Sequence, residues 1–156
     1  MDLLPAWAPN LHALLIHLPI AWWVAAVMAD LVALLLPRAT WARSTGTFLY
    51  PVAAAAAVLT YLSGRQAAAT VLVPGMAHPI LQEHWNWALA TTVGFGLVAV
   101  LRLWTELQRQ VPSRWLRIVT FAAAAVALGL LVETGHRGGR LVYEHGVGVA
   151  QPSGLR

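Results

Sequence analysis

Apolar positions along the chain fall into four long runs, separated by short stretches rich in proline, glycine and charge. The first run extends from Leu11 to Leu36, with Asn10 as its N-cap and Pro37 as its stop. Asp30 is its only formal charge. The second spans about Thr47 to Val73, with an alanine-rich centre at Pro51–Val58, then Ser63-Gly64 and a single charge, Arg65. Small residues there allow helices to approach closely in lipid, and Pro74-Gly75 ends the run. The third covers about Ile80–Leu103, with Pro79 at its start, where a helix tolerates proline. The fourth, about Trp115–Thr134, is uncharged from Ile118 to Val132. Each run is long enough for a transmembrane helix, which needs about 20 apolar residues. The pattern predicts an all-α four-helix transmembrane bundle, up-down-up-down, with both termini on one side. The single integral membrane domain spans 1–156, and 135–156 forms a C-terminal extramembrane segment.

Composition agrees. Of 156 residues, 59% are hydrophobic and only 10% charged, and mean hydropathy is +0.66. Soluble domains carry about 25% charged residues, so a water-soluble fold and a disordered chain are both excluded. Residues Met1–Asn10 hold no positive charge and include Asp2, and the first run is too long for the apolar core of a signal peptide. It therefore reads as a retained span.

All ten basic residues are arginine, against six acids, for a net charge of +4. They flank the apolar runs and form no basic face with interleaved aromatics, which argues against nucleic acid. Arg38, Arg43, Arg102, Arg109, Arg114 and Arg117 lie on one side; Arg65, Arg137, Arg140 and Arg156 lie on the other. The excess predicts two cytoplasmic hairpin loops and outer termini, in the inner membrane of a bacterium. Trp7, Trp41, Trp85, Trp87, Trp104 and Trp115 fall near the expected interfaces, as an aromatic belt requires.

Cysteine is absent, which excludes disulfides, thioether-linked haem, and cysteine-held zinc or iron–sulfur centres. Histidine remains. In this topology His12, His17, His78, His84, His136 and His145 all fall at one side of the membrane. Ionisable residues at membrane depth are costly and point to function. By helical rise, His17 and His84 reach similar depth, while His12 and His136 are shallower. His12 and His17 are separated by about 140° around a helix, so they cannot serve one ion from one face.

A haem b requires axial imidazoles on facing helices, an apolar slot, and cations for its propionates. The expected primary pair is His17 with His84. His12 with His136 forms a shallower site, with His145 as a substitute. Arg65, Arg137 and Arg140 are the expected propionate partners. A copper or zinc site built from imidazoles is the alternative. Gly135 and Gly138-Gly139 permit close backbone approach after the fourth run, and Leu141–Val149 is placed to fold back over the histidines.

The opening Leu11-His12-Ala13-Leu14-Leu15-Ile16-His17-Leu18-Pro19-Ile20, with Asp30 after it, resembles the H-P-x-x-V-H-F-P-I opening of the bacterial membrane family filed as domain of unknown function 2231. Thr134–Val149 is similar to that family's closing T-G-H-x-G-G-x-L-V-Y-x-H-G-V-G-V, and His84 matches its mid-chain histidine. The resemblance covers about residues 10–149. Ala13 replaces the usual proline and Leu18 the usual phenylalanine; His78 has no motif counterpart. The family name carries no function. Fusion of some relatives to c-type cytochrome domains implies electron transfer by association only. The expected function is a b-type cytochrome module passing electrons at the outer face. Its partners would be a periplasmic c-type cytochrome or a larger respiratory or photosynthetic complex. A non-catalytic small subunit of such a complex is the remaining alternative.

Overall fold

The computed structural model describes residues 10–108 and 113–149; Trp7, Arg109 and Arg156 lie outside them. These residues are all-helical, without strands. Helix α1 is the short His12–Leu15, α2 is His17–Leu35, α3 is Thr40–Ala68, α4 is His78–Leu107 and α5 is Arg114–Tyr143; a 3₁₀ turn, Gly75–Ala77, precedes α4. Helices α1 and α2 make one span, His12–Leu35, and the three long helices make the others, so four segments are long and apolar enough to cross a membrane. Outward side chains such as Leu35, Phe48, Leu97 and Val126 are apolar and exposed, a surface suited to lipid.

The break between α1 and α2 follows from Pro19. Proline has no N–H, so the Leu15 carbonyl one turn earlier loses its helical donor. Thr60 Oγ1 of α3 donates to that carbonyl instead, at 3.3 Å. A second helix thus repairs the first and ties α1 to α3.

Helix α4 runs two residues earlier and four later than its apolar run, α3 ends at Ala68 rather than Val73, and the start of α3 and the end of α5 differ most. Helix α3 starts at Thr40, earlier than Thr47, because its first turns already bury Ala42 and Gly46 while Trp41 points outward. Helix α5 starts at Arg114, where Ser113 Oγ accepts the Leu116 N–H at 3.2 Å. It continues to Tyr143, nine residues beyond Thr134. Each glycine in that extension costs about 1 kcal/mol of helix propensity. Glu133–Arg137 and Arg140–Glu144, both one turn apart, support it against that cost. Positive φ occurs at Gly146 (65°) and Gly148 (75°), after the helix, rather than in the glycine cluster.

Helix α2 packs on α3, α3 on α4, α4 on α5, and α5 closes back on α2. At the centre, Trp23, Tyr50 and Phe95 are fully buried. The Trp23 and Phe95 rings stack with centroids 3.4 Å apart and planes 9° apart, and Tyr50 meets Trp23 edge-on at 4.9 Å. Trp23 Nε1 donates to the Ala124 carbonyl of α5 at 3.1 Å, so its indole links three helices besides its own.

The inward face has two polar levels. At one, Asp30, Gly46 and Arg102 meet; at the other, His12 lies on Gly64 and His84 on Gly138. On α1–α2, α3 and α4 alike, the two levels are eighteen residues apart. That is about five turns at 3.6 residues per turn, so the paired positions share one helix face.

A two-histidine cavity between the helices

A cavity of ≈ 490 Å³ opens among all four spans. Its lining is mostly apolar, with Ile16, Ala57, Ala88, Phe95 and Leu131 beside Thr60, Thr91 and Thr134. Its volume and character are those of a small-molecule or cofactor site, which typically occupies about 300–1,000 Å³. Val147 and Gly148 also line it, so the segment after α5 does fold back over the histidine level. Gly146 makes this return possible: its left-handed backbone turns the chain while its N–H bonds the Val142 carbonyl at 3.0 Å.

His12 and His84 both line the cavity, and each is anchored in the same way. His12 Nδ1 lies 3.0 Å from the Thr60 carbonyl and 3.2 Å from Ser63 Oγ. His84 Nδ1 lies 3.0 Å from the Thr134 carbonyl. A carbonyl only accepts, so the ring proton resides on Nδ1 in both residues. Each Nε2 then holds a lone pair and has no hydrogen-bond partner among the described residues. Glycines fit beneath both rings. A methyl group added at Gly64 would stand 2.9 Å from His12 Cε1, and one at Gly138 would stand 3.2 Å from His84 Cε1.

The structure does not bring His17 to this cavity. His17 is exposed on the outer side of α2, with Nδ1 3.4 Å from the Leu14 carbonyl. Equal depth pairs it with His84, but it faces away; His12, on the opposite side of the helix, faces in. His136 is exposed and lines a separate shallow groove with Arg140, Tyr143 and Glu144. His145 is half-buried, with a buried Nε2 that makes no hydrogen bond among the described residues. Its nearest carboxylate oxygen, Glu144 Oε2, is 4.0 Å away, beyond hydrogen-bond reach. Neither residue lines the cavity with His12. His78 is exposed at the start of α4, its Nδ1 3.3 Å from the Gly75 carbonyl. Among the described residues, no three His, Asp or Glu side chains are grouped to hold a metal ion.

The three arginines expected near this site have different surroundings. The Arg65 guanidinium lies 4.3 Å above the centre of the Trp85 ring, and Trp85 lines the cavity. Arg65 makes no ion pair among the described residues. Arg137 bonds Glu83 at 3.2 Å, pairs with Glu133, and lies over the Trp87 ring at 4.6 Å. Arg140 Nε is 3.0 Å from both oxygens of Glu144. That hydrogen bond holds the Glu144 carboxyl below its ordinary range. Arg137 and Arg140 are thus already neutralised by carboxylates.

At the other polar level, Arg102 Nη2 donates to Asp30 Oδ1 at 2.9 Å, and Tyr50 OH donates to Asp30 Oδ2 at 3.0 Å. The ion pair is almost wholly buried, with side chains 8% and 6% exposed. From the sequence Arg102 reads as a topology signal; in the structure it is the partner of Asp30.

The family described as Predicted membrane protein (DUF2231) matches residues 8–151. No curated protein and no solved structure matches the chain.

Proposed function

We propose that this chain, which belongs to the DUF2231 family of predicted membrane proteins, is a membrane-embedded b-type cytochrome module whose haem is held by His12 and His84. The observation that carries this reading is the shared anchoring of the two imidazoles. Histidines that ligate a metal characteristically donate their other ring N–H to a carbonyl or carboxylate, which fixes the tautomer and raises ligand basicity. Both residues do so here, from different spans, with Nε2 left for iron. The apolar lining suits a tetrapyrrole ring, and Arg65 at the Trp85 rim supplies a cation without an acidic partner.

The count of ligands favours haem over copper or zinc. A tetrahedral zinc site takes three or four protein ligands, whereas haem brings four nitrogens of its own and asks the protein for one or two. Two imidazoles, with no grouping of three among the described residues, match the second case. In the orientation set by the arginine excess, the site lies toward the outer face of a bacterial inner membrane. Electrons would pass there to a periplasmic c-type cytochrome or to a larger respiratory or photosynthetic complex.

The test is a visible spectrum of the protein purified from membranes with haem supplied. A Soret band and sharp α and β bands on reduction support the reading. A colourless protein overturns it: bound copper or zinc would then indicate the metal alternative, and no bound metal a non-catalytic subunit.

A further inference from the structure

The described carboxylates all have arginine partners, and the arginines left over gather at one end of the bundle. Arg102 pairs with Asp30, Arg43 with Glu106, Arg137 with Glu83 and Glu133, and Arg140 with Glu144. Arg65 lies over Trp85 at the cavity level. Arg38, Arg114 and Arg117 make no ion pair among the described residues, and they lie where the end of α2 meets the start of α5. Arg117 Nη2 donates to the Ala33 carbonyl in the last turn of α2. That is one of the carbonyls a helix end leaves without a partner. The bond ties α5 to α2 but leaves the guanidinium charge uncancelled, because a carbonyl carries no formal charge. Arg114 is exposed three residues earlier, on the same side of α5. Arg38 is exposed in the tight turn after α2, where the Ala39 N–H bonds the Leu36 carbonyl at 2.9 Å. The sequence holds no acid from Leu31 to Gln82 or from Leu107 to Val132, so neither adjoining loop supplies a counter-ion. Beside these arginines Leu35, Leu36, Trp115 and Ile118 are apolar and exposed.

We propose that the seam between α2 and α5 binds one anionic diacyl phospholipid, with its phosphate held by Arg38, Arg114 and Arg117 and its acyl chains along the neighbouring apolar side chains. A guanidinium matches phosphate oxygens with paired hydrogen bonds, and basic pockets between membrane helices take anionic head groups. A dissolved anion would meet the charge but leave the apolar face beside it uncovered; a phospholipid satisfies both. The arginines on the far side of the bundle, Arg137 and Arg140, have carboxylates of their own and need no such ligand. The site involves no cofactor and is independent of the haem reading.

The full chain, stripped of lipid in a neutral detergent, is titrated with phosphatidylglycerol or phosphatidylcholine and the bound lipid is counted by native mass spectrometry. One phosphatidylglycerol should bind about tenfold more tightly than phosphatidylcholine, and Arg38→Gln and Arg114→Gln should each loosen it about fivefold. Both side chains are exposed, so circular dichroism should show unchanged helix content. Arg117→Gln would also free the Ala33 carbonyl, so the two exposed arginines carry the test. Arg140→Gln, which removes an equal charge at the far end of α5, should leave the affinity unchanged. Equal affinity for the two lipids would overturn the site, as would an undiminished affinity in Arg38→Gln/Arg114→Gln or an equal loss in Arg140→Gln. Displacement of phosphatidylglycerol by equimolar glycerol phosphate would overturn the lipid as its occupant.

Discussion

His12 and Asp30 stand eighteen residues apart on the first span and point into the bundle along the same face. His84 and Arg102 repeat that spacing on α4. Each span therefore carries one ion-pair partner and one cavity histidine in the same helical phase. The ion pair joins α2 to α4 at one level, and five turns away on the same faces both imidazoles line the cavity.

Breaking the pair should cost far more than deleting it. Asp30→Asn or Arg102→Leu alone leaves a buried charge without its counter-ion, a loss of about 3–5 kcal/mol. The double variant Asp30→Asn/Arg102→Leu removes both charges and should recover most of that stability. Thermal unfolding of the four proteins in one detergent checks this. Equal additive losses would show that the two residues act independently.

Gly64→Ala and Gly138→Ala should weaken the site in that order. The added methyl meets His12 Cε1 at 2.9 Å in the first case and His84 Cε1 at 3.2 Å in the second. The closer contact forces the imidazole to move; the second needs only a few tenths of an ångström. Haem retained after purification should fall more for Gly64→Ala, while helix content by circular dichroism stays unchanged. Full retention in both variants would contradict the close packing of the rings on these glycines.

Asp30 marks where sequence reasoning could have gone further. A charge inside a span must face the bundle rather than lipid, since exposure at the bilayer centre costs about 2.5–3.5 kcal/mol or more. Counting back by turns from Asp30 reaches Trp23, Pro19 and His12, and passes His17 on the far side. Depth alone ranks His17 with His84 because rise along a helix says nothing of direction around it. The four spans were legible because runs of apolar residues survive any detail of packing. Arg102 was not, since an arginine near a span end reads equally as a topology signal. The extension of α5 through Gly138 and Gly139 was not legible either. Glycine there serves the contact with His84, a contact made by another helix.

Arg65→Leu should lower the reduction potential of the cofactor or its retention, because a nearby cation favours the electron-gaining state. The paired replacements Arg137→Leu/Glu133→Leu and Arg140→Leu/Glu144→Leu should leave the potential nearly unchanged, since each removes a cation and a carboxylate together. Redox titration of the three variants distinguishes them. An unchanged potential and occupancy in Arg65→Leu would leave it a side chain that only stacks on Trp85.

Reporter fusions after Arg43 should be cytoplasmic, and fusions after Arg156 extracytoplasmic, as the arginine excess requires. The reverse pattern would leave the cavity intact but move its electron partners to the cytoplasm.

The axial pair is tested most directly by the spectra of His12→Ala, His84→Ala and His17→Ala, each purified with haem. Removing a true axial ligand leaves iron five-coordinate. His12→Ala and His84→Ala should therefore each lose haem or change from low-spin to high-spin absorption. His17→Ala should keep the wild-type low-spin spectrum, because its ring lies outside the cavity. A wild-type spectrum at full occupancy in both His12→Ala and His84→Ala, or its loss in His17→Ala alone, would contradict the pairing of His12 with His84.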